Sequence, residues 1–461
     1  MQALLAIARL TFKAAFRFRL VPVLGVLLIG GVLLLPAAIK DDGSAEGMTQ
    51  IVLTYTLGLT VLVLGLTTLW LACGTLARDI DECQLQVVAV KPVARWQIWL
   101  GKWIGIMFVN LLLFGIATTV IYVQLQWRAK RLSPEQQAVL KNEVFVARGS
   151  FKPAVPEMQG DIDRLMAERL KEGQVAEMDR GELRKLVTGM VHAQYQLVRS
   201  GWVRRWQIDL SSVADQVKDQ PLFLRVKFYT ASDSSSKQET YRTQWDIGPE
   251  QGPYRQRELQ SLSPESFHEI KVNPGLLDAN GILNVEVGNL NDDAILFQFE
   301  DGFEVLYREG GFLLNYLRGV AILFFWLALL AAVGLAAASQ LSFPVAAFVS
   351  IALLIVSFST GTMRTVIEQG TIREVDHETG MVGNPNLFDA VSVVGFKVLL
   401  SVVNVVRDFS PVEQLSGGRS ISWGTVARAG GQIVVLMGGV FALVGITLLQ
   451  RRELATAQNQ G

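Results

Sequence analysis

The stretch that decides the fold reads Thr75-Leu-Ala-Arg-Asp-Ile-Asp-Glu-Cys-Gln-Leu-Gln-Val-Val-Ala-Val-Lys-Pro-Val-Ala-Arg-Trp-Gln-Ile-Trp-Leu-Gly-Lys-Trp103. It lies between two apolar runs, residues 51–73 and 104–122. About 20 apolar residues in an α-helix cross the hydrocarbon core of a bilayer, and both runs reach that length. The sequence therefore predicts two membrane-spanning helices and a short charged segment, residues 75–103, held between them at the membrane surface.

Charged side chains are concentrated early in this segment, at Arg78, Asp79, Asp81 and Glu82, with Gln84 following them. Carboxylates are stabilised by the positive end of the helix dipole. We therefore expect this charged group to lie at the start of a helix and to be exposed to solvent.

The segment is interrupted at Pro92. Proline lacks the N–H group that a helix needs, and it disfavours the helical conformation of the residue before it, Lys91. After the break, Arg95 and Lys102 are interspersed with tryptophans, and cations and indole rings are typical of the headgroup level of a membrane. The pattern predicts a rigid, charged helix–break–helix element.

This order of features resembles the coupling loop of the permease subunits of type-2 ABC exporters. The matching residues are the acidic cluster, then Lys91-Pro-Val-Ala-Arg-Trp96, then Leu100-Gly-Lys102. A second resemblance to the same family lies in Asp408-Phe-Ser-Pro411, a glycine-rich stretch, a last span and Arg451-Arg-Glu-Leu454.

The resemblance implies that a short helix around residues 79–90 docks into a separate ATP-binding subunit. It also raises the expectation of a homodimer or of a paired permease. The residues that it assigns to contact with the ATPase partner are Arg78, Asp79, Asp81, Glu82, Gln84, Lys91, Pro92, Arg95 and Lys102.

The composition is that of an integral membrane protein. Of the 461 residues, 50% are hydrophobic, and the formal net charge is zero. Charge is sparse in the apolar runs and dense from Trp127 to Glu309, which is typical of a membrane protein with an inserted water-exposed domain. No long basic block points to a nucleic-acid partner.

We expect an α-helical membrane protein with six spans. In residue numbers these are 20–39, 51–73, 104–124, 312–338, 343–360 and 429–449. Residues 1–19 are predicted to form an amphipathic helix at the interface, and residues 389–406 a re-entrant or interfacial helix. The two transmembrane halves are then residues 20–126 and 312–461.

Cations in the short loops predict the orientation, because lysine and arginine accumulate in cytoplasmic loops. The turn after the first span holds only Lys40, whereas the cations on the other side are Arg9, Lys13, Arg17, Arg19, Arg78, Lys91, Arg95 and Lys102. We therefore expect a protein of the cell (inner) membrane with the N-terminus, residues 75–103 and the C-terminus in the cytoplasm.

Residues 127–311 are predicted to form an extracytoplasmic α+β domain. Apolar residues have helical spacing within residues 133–205, as at Ile162, Leu165, Met166 and Leu170. Residues 206–308 contain short alternating segments separated by turns, which predict a β-sandwich on a helical stalk. The predicted strands are 222–229, 239–247, 268–272, 283–287 and 295–299. Tyr229, Trp245 and Tyr254 either pack in its core or form a platform for a glycan.

The sequence shows no motif for catalysis or for a cofactor. It lacks a Gly-x-x-x-x-Gly-Lys-Ser/Thr loop, so any ATP must be bound by a partner subunit. The three histidines are isolated from other metal ligands, and Cys73 and Cys83 are expected to be reduced thiols. We expect no enzymatic activity, no cofactor and no metal.

Two functions remain open. The first is a permease subunit that moves an unidentified substrate, driven by an ATP-hydrolysing partner. Small-residue pairs such as Gly101 and Gly105 then serve either packing within the chain or a dimer interface. The alternative is a membrane-anchored binding or sensor protein that acts on an extracytoplasmic ligand through residues 127–311.

Overall fold

The structure is a computed structural model of the chain. It describes residues 2–17, 20–39, 45–83, 93–140, 144–171, 180–230, 240–250, 254–358, 367, 387–407 and 409–452. The chain divides into two compact units. The helical unit comprises Met1–Val146 and Gly311–Gly461, and the β-rich unit comprises Ala147–Gly310.

The helical unit begins with α1 (Gln2–Arg17) and α2 (Leu20–Ala38). Next, α3 (Ala45–Gln50) leads through a π-helical stretch (Ile51–Tyr55) into α4 (Thr56–Asp81), and α5 (Arg95–Ala129) and α6 (Pro134–Val139) follow. After the β-rich unit come α10 (Phe312–Ala338), α11 (Phe343–Phe358), α12 (Leu387–Arg407), α13 (Pro411–Ser416) and α14 (Trp423–Ala429). A second π-helical stretch (Gly430–Gly438) then leads into α15 (Gly439–Arg451).

Five described helical segments are long and apolar enough to cross a membrane, so the chain is a multi-pass membrane protein. They are Val21–Ala38, Gly47–Asp81, Arg95–Ala129, Phe312–Ala338 and Trp423–Arg451. Six spans were predicted, and five are found among the described residues. The predicted fifth span, residues 343–360, corresponds to α11 up to Phe358, and residues 359–360 lie outside the described residues, so this span stays a prediction.

Two further sequence predictions concern helix bounds. The third span was predicted for residues 104–124, but α5 extends over 35 residues from Arg95, because its first turns pack within the bundle. The helix predicted for residues 389–406 is confirmed as α12 and is not among the five long apolar segments. Its position at the interface stays a prediction.

Glycines bring neighbouring helices of this unit close together. A methyl group at Gly105 would lie 2.7 Å from the Ala8 carbonyl oxygen, and one at Gly101 would lie 2.9 Å from Ile7 Cβ. Gly334 in α10 faces Ala72 in α4 in the same way, at 2.7 Å. These positions therefore serve packing within one chain, which was the first of the two interpretations of the small-residue pairs.

The β-rich unit has helices α7 (Gln159–Lys171), α8 (Arg180–Gln196) and α9 (Ala214–Val217). Its strands are β1 (Val146–Phe151), β2 (Leu197–Val198), β3 (Val203–Asp209), β4 (Leu222–Val226), β5 (Tyr229–Thr230), β6 (Tyr241–Ile247), β7 (Gln256–Leu262), β8 (His268–Val272), β9 (Ile282–Asn289), β10 (Ile295–Leu296) and β11 (Phe303–Gly311). The prediction of helix throughout 133–205 was therefore wrong at β1, β2 and β3.

The strands form three sheets, with the orders β1-β11-β4-β8, β3-β9-β6-β7 and β2-β10-β5. The strand pairings that are resolved residue by residue are antiparallel. The two four-stranded sheets contribute to one core that includes Leu224, Trp245, Val285 and Val305, as two packed sheets require. Trp245 is fully buried, so its place is in that core and not on a binding platform. A smaller core joins α7 and α8 through Ile162 and Val187.

Candidate functional site

The predicted acidic cluster lies at the end of a helix and not at the start of one. Arg78, Asp79 and Asp81 occupy the last turn of α4, and Glu82 is its C-terminal cap residue. Cys83 then adopts a left-handed conformation with φ of 59°, which ends the helix before Pro92 is reached. These carboxylates therefore lie at the negative end of the helix dipole, which disfavours them, and not at the positive end as predicted. Gln84, Lys91 and Pro92 lie outside the described residues.

Lys102 is buried and binds the end of α4. Its side chain is 6% exposed, and Nζ lies 2.5 Å from Asp79 Oδ2. Nζ also donates a hydrogen bond to the Thr75 carbonyl oxygen at 2.7 Å. Asp79 was predicted in solvent, but its carboxylate pairs with buried Lys102, and this ion pair joins α4 to α5. The headgroup level of Lys102 stays a prediction.

Arg95, in the first turn of α5, binds the end of α15. Its Nη1 atom donates hydrogen bonds to the carbonyl oxygens of Leu449, Gln450 and Arg452, at 2.6, 2.7 and 2.9 Å. The last carbonyl groups of a helix have no partner within the helix. Arg95 supplies these carbonyl groups with a donor and places a positive charge at the negative end of the dipole.

Arg452 makes an equivalent contact to the end of α10. Its Nη1 atom donates a hydrogen bond to the carbonyl oxygen of Ser339, the C-terminal cap residue of that helix, at 3.3 Å. Arg95 and Arg452 therefore each place a cation at the C-terminal end of a helix, whereas Lys102 binds Asp79 in the last turn of α4 and the Thr75 carbonyl oxygen further back in that helix. The sequence showed that these residues are cations, but it did not show which helices they bind.

The three helices α5, α10 and α15 meet at Gly445. A methyl group there would lie 2.6 Å from Trp99 Nε1 and 3.0 Å from Ala336 Cα. Trp103 Nε1 donates a hydrogen bond to the Ala328 carbonyl oxygen in α10 at 3.0 Å. The beginning of α5 is therefore fixed to α10 and α15 by close packing as well as by charge.

The remaining predicted residues have different environments. The Arg78 guanidinium lies 4.8 Å from the centre of the Phe343 ring at the start of α11, a cation–π contact. Asp81 and Glu82 are exposed. The structure thus divides the predicted site into a buried part that joins helices and an exposed acidic part at residues 81–82.

A polar contact that the sequence analysis did not identify lies further along the same helix pair. Thr68 Oγ1 in α4 is 3.0 Å from Asn110 Oδ1 in α5, and both residues are buried. Together with the Asp79–Lys102 pair, it gives α4 and α5 two polar contacts about eight residues apart along α5, or roughly 12 Å. The two helices are therefore joined by polar contacts at two levels.

The contacts in this region connect helices to one another. In the described part of the chain, no three histidine, cysteine or acidic side chains are grouped so as to hold a metal ion. Cations on helix ends and buried glycine contacts fix helices relative to one another. Comparison with protein-family models, with curated proteins and with solved structures found no match to this chain.

Proposed function

We propose that the chain is the permease subunit of an ABC transporter, with residues 75–103 as the segment that receives an ATP-hydrolysing partner. The observation that carries this proposal is a pair of contacts that flank the exposed acidic residues. The Asp79–Lys102 ion pair joins the first part of the segment to its last part, and Arg95 binds its second half to α15. A segment anchored at both ends passes a displacement to the spans instead of absorbing it.

In this proposal the partner binds the exposed residues Asp81 and Glu82 and moves the segment as its own domains close around ATP. The Asp79–Lys102 and Thr68–Asn110 contacts carry α4 and α5 along as a rigid body. Arg95 passes the same movement to α15. A rigid-body shift of packed helices is a common way of changing access to a site, and no covalent step in this chain is required.

The proposal includes the expected orientation and assembly. Residues 75–103 and both termini lie in the cytoplasm, the β-rich unit lies on the other side, and two permease chains pair around the substrate path. Charged side chains are rare in the five apolar segments, which favours a lipid-like or apolar substrate.

The test is co-purification of the full chain with ATPase subunits encoded beside its gene. Asp81→Lys combined with Glu82→Lys is expected to lower the co-purified ATPase about tenfold, since reversing interfacial charges creates like-charge contacts. Lysine at the C-terminal end of α4 suits the helix dipole, so the fold is expected to survive. The matched control is Glu168→Lys with Glu182→Lys, two exposed acids on helices of the β-rich unit.

Unchanged ATPase binding in the Asp81/Glu82 variant would contradict the proposed contact. Loss of binding in the control as well would show a general effect of charge. Asp79 is excluded from the variant because it holds buried Lys102.

A membrane-anchored binding protein is the second candidate, favoured by the separate core of the β-rich unit. The two functions are separated by deleting residues 147–310. The ends of the helical unit at this insertion adjoin, since the rings of Phe145 and Phe312 have centroids 5.0 Å apart, so a short linker can join them. A shortened chain that still binds the ATPase supports the permease, whereas loss of every measurable partner favours the binding protein.

A further inference from the structure

We propose that the outward face of α1 is a binding surface for anionic phospholipid headgroups. This inference needs only the membrane location of the chain, and it holds whether or not the chain is a permease.

One face of α1 is used for packing inside the helical unit. Ala8, Thr11 and Ala15 are buried, and the backbone of Ala8 approaches Gly105 of α5 closely enough to exclude a side chain there. Because α1 is held by this glycine contact, its opposite face has a fixed direction.

The opposite face carries cations and no acid. Arg9 and Lys13 are exposed, four residues apart and therefore about 6 Å apart along one row of the helix. None of the 16 residues of α1 is acidic. Among the described residues, no ion pair is formed by either cation. Two adjacent cations without a local acid match the phosphate groups of anionic lipids in charge.

The contact with α5 places α1 at the level of the headgroups. Gly101 and Gly105, which receive α1, lie within three turns of the start of α5 at Arg95, and Trp96 in its first turn is 44% exposed. Tryptophans concentrate at the interface between hydrocarbon and water. The cations of α1 therefore lie where lipid phosphates are found.

Apolar side chains on the same face complete the match to a lipid surface. Leu5 is 58% exposed beside Arg9, and Leu10 is 66% exposed beside Lys13. A helix that lies in the interface inserts such side chains below the headgroups while its cations meet the phosphates. A purely water-exposed face would leave both leucines in solvent, whereas a lipid surface covers the leucines and supplies phosphates to the cations.

The experiment uses the full chain reconstituted in phosphatidylcholine bilayers with trace spin-labelled lipid. Electron spin resonance measures the preference of the protein for spin-labelled phosphatidylglycerol over spin-labelled phosphatidylcholine. The wild-type chain is expected to prefer phosphatidylglycerol about fivefold, and Arg9→Gln with Lys13→Gln to lose at least about half of that preference, since each cation near the surface attracts anionic lipid. The preference should fall between 0.05 and about 0.5 M salt, because salt screens exposed charges.

Two control variants make the result specific. Arg9→Lys with Lys13→Arg keeps both charges and is expected to keep the preference. Lys171→Gln with Lys185→Gln removes two exposed cations from helices of the β-rich unit and is expected to change nothing. Equal loss in this second control, an unchanged preference in the Arg9/Lys13 glutamine variant, or no preference in the wild-type chain would overturn the proposal. Single Arg9→Gln and Lys13→Gln variants replace the double variant if it fails to fold, and each must then lose part of the preference.

Discussion

Cations have different partners in the two units of this protein. In the helical unit, Arg95 and Arg452 bind backbone carbonyl oxygens at helix ends. In the β-rich unit, Arg255 lies between two carboxylates, with its guanidinium 2.9 Å from Asp246 and 3.1 Å from Glu286. Arg205 binds Glu286 and Arg257 binds Asp246 on the same sheet.

The difference follows from the secondary structure. A helix leaves its last carbonyl groups without partners, and a donor must come from elsewhere when the end is buried. The paired strands of a sheet satisfy each other's backbone groups, so these arginines bind side chains. Arg204 of β3 binds the carbonyl oxygens of Gln194 and Leu197 at the end of α8, which agrees with the pattern of the helix ends. Lys102 binds the side chain of Asp79 and also the carbonyl oxygen of Thr75, which lies within α4 and is not one of its last carbonyl groups.

The largest effect is expected from the Asp79–Lys102 pair, and it should be asymmetric. Asp79→Asn leaves the ammonium group of Lys102 buried without a counter-charge, which should destabilise the chain by about 3–5 kcal/mol. Lys102→Met removes the buried charge itself and leaves Asp79, whose side chain is 34% exposed, in contact with water. The cost should then be nearer to about 1–3 kcal/mol. Unfolding of both variants in lipid nanodiscs gives the comparison.

The double variant Asp79→Asn, Lys102→Met is the control for this asymmetry. It should be no less stable than Asp79→Asn alone, because the unpaired charge is gone. If Lys102→Met were less stable than Asp79→Asn, the result would show that Lys102 is better hydrated than its burial indicates.

Arg95 should give the next largest effect. Arg95→Met removes three hydrogen bonds to the end of α15 at once, and the expected loss is about 2 kcal/mol, since the contacts are charge-assisted but partly exposed. Arg95→Lys keeps the positive charge but replaces the planar guanidinium by a single ammonium group, so it should recover roughly half of the lost stability. Hydrogen exchange in residues 439–452 is the local measurement. It should accelerate in the methionine variant, whereas unchanged exchange there would contradict an anchoring role for Arg95.

Asp246→Asn on the sheet is the counterpart of Asp79→Asn in the helical unit. Asp246 is nearly buried and contacts two arginines, but Arg255 and Arg257 are 26% and 68% exposed. Asp246→Asn therefore leaves cations that water can reach, and the expected loss is about 1 kcal/mol, well below that of Asp79→Asn. Arg257→Gln should cost roughly 0.5 kcal/mol or less. A loss from Asp246→Asn as large as that from Asp79→Asn would remove the distinction between the two units.

The parts of the fold that follow a local pattern were predictable from the sequence. Residues 268–272 were assigned correctly as β8, and the predicted strands at 222–229, 239–247 and 283–287 correspond to β4, β6 and β9. In β4 and β8, buried apolar residues alternate with more exposed residues. Strand β7 was missed. Its sequence, Gln256-Arg-Glu-Leu-Gln-Ser-Leu262, is polar because it lies at a sheet edge and pairs only with β6.

The site could be predicted in its residue types but not in its contacts. Charges at residues 78–102 marked the segment, yet Arg95 binds Leu449, which lies 354 positions later in the sequence. The end of α4 was misplaced for a different reason. The chain stops its helix with a left-handed Cys83, a conformation that usually requires glycine, whereas the visible helix breaker in the sequence was Pro92. A distant partner and an unusual backbone conformation leave no local signal.

The smallest effect is expected where the charge is fully at the surface, at Asp209 after β3. Hydrogen bonds from the side chain and the backbone N–H of Ser211, the latter 2.9 Å from Oδ1, lower the pKa of Asp209 below its ordinary value. A lowered pKa means that the ionised carboxylate stabilises the folded chain. This contribution is complete above the ordinary pKa of about 4 and is lost as the pH falls through the lower folded-state value. Asp209→Asn should therefore be slightly less stable than wild type at pH 7, and unfolding in nanodiscs should show the difference shrinking on acidification. Ser211→Ala, which keeps the backbone N–H, should have an intermediate effect. A difference that grows as the pH falls would contradict the sign of this argument, because it would mean that the protonated carboxyl group is the more stabilising form.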